Sequence, residues 1–247
     1  FYRTGISTIN LPQMEKIGDY AFSECSSLSI TGNTINSDEI GDYAFYNTQV
    51  SGPITTLTST SIGKEAFSES GLTFDTIKQK VTTIGGITTT SSIHIYPHAF
   101  SGRTITGPLN FASPNYGRNL IDASAFSGCI FQSNSKFEFH STTIGSYAFS
   151  RANFASKREL TLRDGSTLGE HAFEMTYGSL EIQTSDNGND KDDPSDREKC
   201  HLVSIPSYAF YSSTAVTASS NELYITGEIG TKAFSNCTKL IGNLIIN

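Results

Sequence analysis

The 247-residue sequence has no tryptophan, only two methionines and four cysteines, and just 17% of its residues are charged. That composition suits short strands and turns, and it excludes a protein built on long helices, which draw on Ala, Leu, Glu and Lys. No apolar run approaches the roughly 18–20 residues of a membrane-spanning helix. An excess of positive charge is missing too. The net charge is −7, so the basic patches that hold phosphate are not expected and nucleic acid is excluded as a partner class. The cysteines lack the C-x-x-C spacing of a metal site. No signal peptide is visible, and the chain opens at Phe1 rather than Met, which reads as a mature region or an excised fragment. What is plentiful is Ser, Thr, Asn and Gly, on a chain long enough to bury a substantial core.

One hexapeptide occurs twice: "IGDYAF" stands at Ile17–Phe22 and again at Ile40–Phe45. The Ala-Phe pair alone recurs nine times, ending at Phe22, Phe45, Phe67, Phe100, Phe126, Phe149, Phe173, Phe210 and Phe234. Successive spacings are 23, 22, 33, 26, 23, 24, 37 and 24. The two long intervals mark insertions near 75–90 and 183–201 that leave the register intact afterwards. An aliphatic precedes each Ala by four residues, from Ile17 to Ile229, and Gly follows it in six of the nine copies. The two middle positions of the hexapeptide vary freely and are expected to meet solvent.

Downstream of each Phe lies a short apolar-x-apolar unit. Examples are Leu28-Ser-Ile30, Leu109-Asn-Phe111, Phe137-Glu-Phe139, Leu160-Thr-Leu162, Leu180-Glu-Ile182 and Leu223-Tyr-Ile225. Such alternation predicts a strand with one buried face. One strand and one turn cannot bury their apolar residues alone, but stacked coils share a continuous core. The expected fold is therefore a mostly β solenoid with short helical or irregular turns. About nine repeats would stack with a parallel sheet on one face, forming a single domain over residues 1–247 that spans roughly 40 Å.

These residues resemble the BspA-like class of leucine-rich repeats. Its unit of about 23 residues reads I-G-x-x-A-F-x-x-C followed by an L-x-x-L-x-L-like strand. "IGDYAFSECSSLSI" (Ile17–Ile30) and "IGTKAFSNCTKLIGNLII" (Ile229–Ile246) match closely, and the resemblance covers nearly the whole chain. Departures exist: "IYPHAF", "IDASAF" and "IPSYAF" lose the Gly, and the spacers drift in length. The resemblance implies a right-handed solenoid on an exported, extracellular or cell-surface protein. It also implies adhesion to a host or neighbouring-cell surface or matrix protein, with no catalysis and no cofactor.

The remaining cysteines, histidines and aspartates fit structural or solvent-facing roles. Cys25, Cys129 and Cys237 share the slot three residues after the repeat Phe, which elsewhere holds Thr48, Ser70, Arg103, Ala152, Thr176 and Ser213. Such a slot wants a small side chain, so these cysteines are expected as free thiols, and Cys200 has no evident mate. His98 and His171 precede Ala-Phe on the turn, a slot also filled by Tyr, while His94, His140 and His201 are scattered. No Ser-His-Asp order, nucleophile elbow or Gly-rich phosphate loop is present, so no catalytic residue is assigned. The insertion 183–201 carries Asp186, Asp190, Asp192, Asp193 and Asp196, which invites a calcium reading. Its spacing fails the EF-hand pattern, and a solvated loop fits the composition better. No metal ligand is assigned.

In an L-x-I strand the two apolar residues point inward and the middle one outward. The outward ladder is then Ser29, Thr55, Thr73, Asn110, Glu138, Thr161, Glu181, Tyr224 and Ile245, with His140 and Arg163 among the next outward positions. Its middle and C-terminal part, Glu138, His140, Thr161, Arg163, Glu181 and Tyr224, is richest in charge and is the expected partner-binding face. Alternatives are a structural spacer for another domain or a carbohydrate-binding module. The last would need exposed aromatics beside carboxylates.

Overall fold

The repeated Ile, Ala and Phe must leave water, and no single repeat offers a second face to cover them, so neighbouring repeats bury them between one another. The computed structural model describes residues 1–49, 52–134, 136–163, 165–182, 204–218, 222–225 and 227–246. Among them it shows a parallel β-solenoid without any helix. Of the short helical or irregular turns expected from the sequence, the described residues show non-helical tight turns.

Strands pair in parallel on two sides of each coil rather than on one face. On the first side the repeat aliphatic closes each strand: Met14–Ile17, Thr34–Ile40, Ser61–Ile62, His94–Ile95, Asn119–Ile121, Thr142–Ile144 and Thr167–Leu168. Ile17 pairs with Ile40, Ile40 with Ile62, Ile62 with Ile95, and the series runs on to Leu168. These strands make about seven turns, and the last two copies add the isolated bridge Ile205–Ile229. The count of nine from the Ala-Phe pairs thus exceeds the fully paired turns slightly.

The aromatic ladder runs further than the strands. Phenylalanine rings stack from Phe22 through each Ala-Phe copy to Phe234, with centroids 4.9–5.4 Å apart. Phe1 adds a rung that the Ala-Phe ruler misses; its ring lies 5.6 Å from Phe22. All these rings lie in the core except Phe1, which is exposed, and Phe234, which is partly buried.

The turn that carries Ala-Phe has a fixed backbone. The residue before Ala adopts a left-handed conformation in all nine copies, with φ between 49° and 59° at Tyr20, Tyr43, Glu65, His98, Ser124, Tyr147, His171, Tyr208 and Lys232. None is glycine, although that conformation costs an L-residue roughly 1–2 kcal/mol. Hydrogen bonds to the next coil offset it: Tyr20 N donates to Asp42 O at 2.9 Å, and Phe22 N to Ala44 O at 2.7 Å. The variable Asp of the hexapeptide also has work between coils. Asp19 Oδ1 accepts from Asp42 N at 3.0 Å, and Asp42 Oδ1 from Lys64 N at 2.8 Å.

Close stacking explains the glycine after the aliphatic. A Cβ at Gly63 would meet the Gly41 carbonyl carbon at 2.5 Å and the Asp42 nitrogen at 2.6 Å, whereas a Cβ at Gly18, in the first full copy, meets nothing within 4 Å. The slot after Phe is explained by hydrogen bonding as well as size. Cys129 Sγ donates to Phe100 O at 2.9 Å, Cys237 Sγ to Phe210 O at 2.8 Å, and Thr48 Oγ1 to Phe22 O at 2.7 Å. Cys25, Cys129 and Cys237 are free thiols.

Candidate functional site

On the second side, each coil crosses a corner between two apolar rows. The first row contains Ile54, Phe74, Ile105, Phe131 and Phe154, and the second contains Leu57, Ile77, Leu109, Phe137 and Leu160; all are buried. The outward ladder expected from the sequence therefore splits. Thr73 aligns with Thr104 beside the first row, while Asn110, Glu138 and Thr161 align beside the second. Glu181 leaves this line. A register shift between Phe154 and Arg158 in the strand Asn153–Arg163 absorbs extra residues at the corner, so Glu181 pairs with Glu159 rather than Thr161.

Four of the six residues assigned to the face come together. Glu138 pairs with Thr161 and His140 with Arg163 in adjacent strands. Arg163 Nε lies 2.8 Å from Glu138 Oε1, and His140 Nε2 lies 3.5 Å from the same oxygen. Thr161 sits among them but is only 5% exposed, so it offers a partner little surface. Glu181 belongs to a neighbouring charged group, with Lys157 Nζ at 2.9 Å and Lys136 bridging Glu159 at 3.3 Å. The Glu181 carboxylate raises the pKa of the exposed Lys157 ammonium, mainly through their hydrogen bond. Tyr224 lies opposite Ile245 in the last strand pair, far along the chain from the other five, and its side chain is outside the described part of the structure. The insertion with the five aspartates, together with Cys200 and His201, lies outside the described residues.

The long interval between Phe67 and Phe100 builds what the face otherwise lacks. Strands Val81–Ile84 and Ile87–Thr90 form an antiparallel hairpin, joined by Gly85 and Gly86 with φ of 57° and 79°. Two positive φ angles make this the two-residue turn whose twist suits a hairpin. A polar network holds its root. Gln79 Nε2 donates to Ser91 O, Ala112 O and Asn119 Oδ1 at 2.9–3.0 Å. Asn119, fully buried, donates in turn to Ala112 O and His140 O.

Between hairpin and strand face lies an open groove of about 290 Å³, lined by Lys78, Val81, Thr90, Asn110, Phe111, Ala112, Glu138 and His140, with Gln79 at its base. Sequence reasoning found Glu138 and His140 but passed over Lys78, Val81 and Ala112. The signal was present in "VTTIGGITTT" (Val81–Thr90), where Gly-Gly between alternating apolar and Thr residues marks a hairpin. One more charge lies beneath the corner. Arg158 is fully buried, its guanidinium 4.7 Å from the Phe137 ring and 5.2 Å from Phe131, and Nη2 donates to Gly107 O at 3.2 Å. Burial pulls its pKa down to about 10.

Comparison with family profiles settles the repeat. A profile described as "BspA type Leucine rich repeat region" matches in six copies over residues 1–104, 86–190 and 199–246. The chain belongs to this family. Neither the curated proteins nor the solved structures contain a match. Within this chain's own series of repeats, the hairpin Val81–Thr90 and the corner shift at Arg158 are local departures. Both border the groove or the strands that form it.

Proposed function

We propose that this chain is the protein-binding module of a cell-surface or secreted protein, without catalysis, and that its partner docks on the strand face beside the hairpin. One observation carries the reading: residues from successive coils, Lys78, Asn110, Glu138 and His140, converge with the hairpin on one groove. Solenoid families use such extended faces for recognition. An adhesion role toward a host or neighbouring cell fits this placement.

The test is capture from cell-surface extracts by the immobilised chain. Glu138→Lys with Arg163→Glu should abolish capture of the bound protein, whereas Asp122→Asn on the opposite strand side should not. Equal capture by both variants would overturn the reading. Such a result would favour a spacer role, for which the phenylalanine stack from Phe1 to Phe234 supplies a continuous stiff core. A carbohydrate reading is not favoured by the turn aromatics. Tyr20 and Tyr43 stack on each other at 5.0 Å, and His171 lies between Tyr147 and Tyr208, so these rings cover the faces a sugar would need.

A further inference from the structure

The described lysines of this protein are almost all engaged by its own acceptors or rings. Lys16, Lys80, Lys136 and Lys157 make ion pairs with Glu39, Asp38, Glu159 and Glu181. Lys64 and Lys232 lie over the rings of Tyr43 and Tyr208, and Lys239 donates to Gly178 O. Among the described lysines only Lys78 makes no such contact, and it stands on the wall of the groove. Its ammonium is therefore available to a carboxylate brought by a partner. Glu138, on the same groove, already serves Arg163. Beside Lys78 the groove turns apolar: Val81 is 57% exposed, Ala112 is exposed, and the Phe111 ring lies beneath.

We propose that the groove receives an extended segment of a partner protein carrying an aspartate or glutamate two residues from an apolar side chain. This rests on the reading of the strand face as a protein-binding surface and names the chemistry it selects. The carboxylate meets Lys78, and the apolar side chain covers Val81 and Ala112. Spacing by two follows from strand geometry, since side chains at i and i+2 leave an extended chain on the same face, about 6.6 Å apart.

The probe is a blocked pentapeptide, Ser-Leu-Ser-Asp-Ser, titrated at millimolar concentration into the 15N-labelled chain and followed by amide chemical shifts. Shifts should centre on Lys78, Val81 and Ala112. Replacing the peptide Asp by Asn should weaken binding about fivefold, the factor set by an ion pair worth close to 1 kcal/mol. Lys78→Glu should reverse the preference in favour of a peptide with Lys in place of Asp. Because Lys78 is exposed, its variants should keep the wild-type spectrum elsewhere. Absence of shifts at the groove, equal binding of Asp and Lys peptides, or an unchanged preference in Lys78→Glu would each overturn the proposal. If the peptide fails while Glu138→Lys with Arg163→Glu still abolishes capture, the acidic-segment inference falls and the protein-binding reading stands. Failure of both removes both.

Discussion

Phe126 and Phe149, one repeat apart, stack with ring planes 5° from parallel and centroids 5.2 Å apart. The spacing is close to that of paired strands, so the ladder of rings and the ladder of backbone hydrogen bonds share one repeat distance. Phe149 also lies within 6.1 Å of Phe131, Phe137 and Phe139, which places it where the turn ladder meets the strand rows.

Truncation of Phe149 should therefore be costly. Phe149→Ala is expected to lose about 3–5 kcal/mol of unfolding free energy in urea, the range for fully buried phenylalanines. A loss below about 1 kcal/mol would show that the ladder is not the core.

Two glycines of the same motif should respond differently to alanine. Gly63→Ala forces a Cβ against the backbone of the preceding coil and should cost about 1–3 kcal/mol. Gly18→Ala, with open space around it, should change stability by less than about 0.5 kcal/mol. Thermal unfolding of the pair measures the difference.

Ser124 holds φ of 58° without the ring stacking that accompanies Tyr147 or His171 at the same slot. Ser124→Gly should leave stability unchanged or raise it by up to about 1 kcal/mol, and Ser124→Val should lower it by roughly 1–2 kcal/mol. Equal stability of the two variants would contradict a left-handed backbone there.

Cys129 sets a pH dependence. Burial pushes its thiol from an ordinary 9.0 up to about 12, so the folded state prefers the neutral form. That contribution is fully present below pH 9 and is lost as pH rises toward 12, at up to about 1.4 kcal/mol per pH unit. Cys129→Ser should flatten this part of the stability profile. The wild-type thiol should also stay unreactive toward a disulfide reagent at pH 8 until the chain unfolds.

The coils were legible in the sequence because their determinants are local and repeated. Ile, Ala and Phe recur at fixed offsets, and the Cys slot mostly holds small side chains, of which Cys129, Cys237 and Thr48 bond the Phe carbonyl of the preceding coil. The site was legible in part. Glu138, His140 and Arg163 followed from period-two alternation, and that rule holds while the strand stays regular. It fails at the corner, where Phe154 and Leu160 are six residues apart but Gly178 and Ile182 only four, so Glu181 leaves the row. Nothing in an L-x-I pattern tells how many residues the neighbouring coil spends on its corner.

By itself the sequence determined that the chain winds into stacked coils around a phenylalanine ladder, since no other arrangement buries those side chains at that period. Only the tertiary structure decided which outward residues become neighbours. Pairing register across coils depends on corner lengths and on a hairpin rooted by Gln79 and Asn119, contacts 40 residues apart in the chain. Those long-range contacts bring Lys78 and Glu138 to one groove, out of what would otherwise be a row of surface residues.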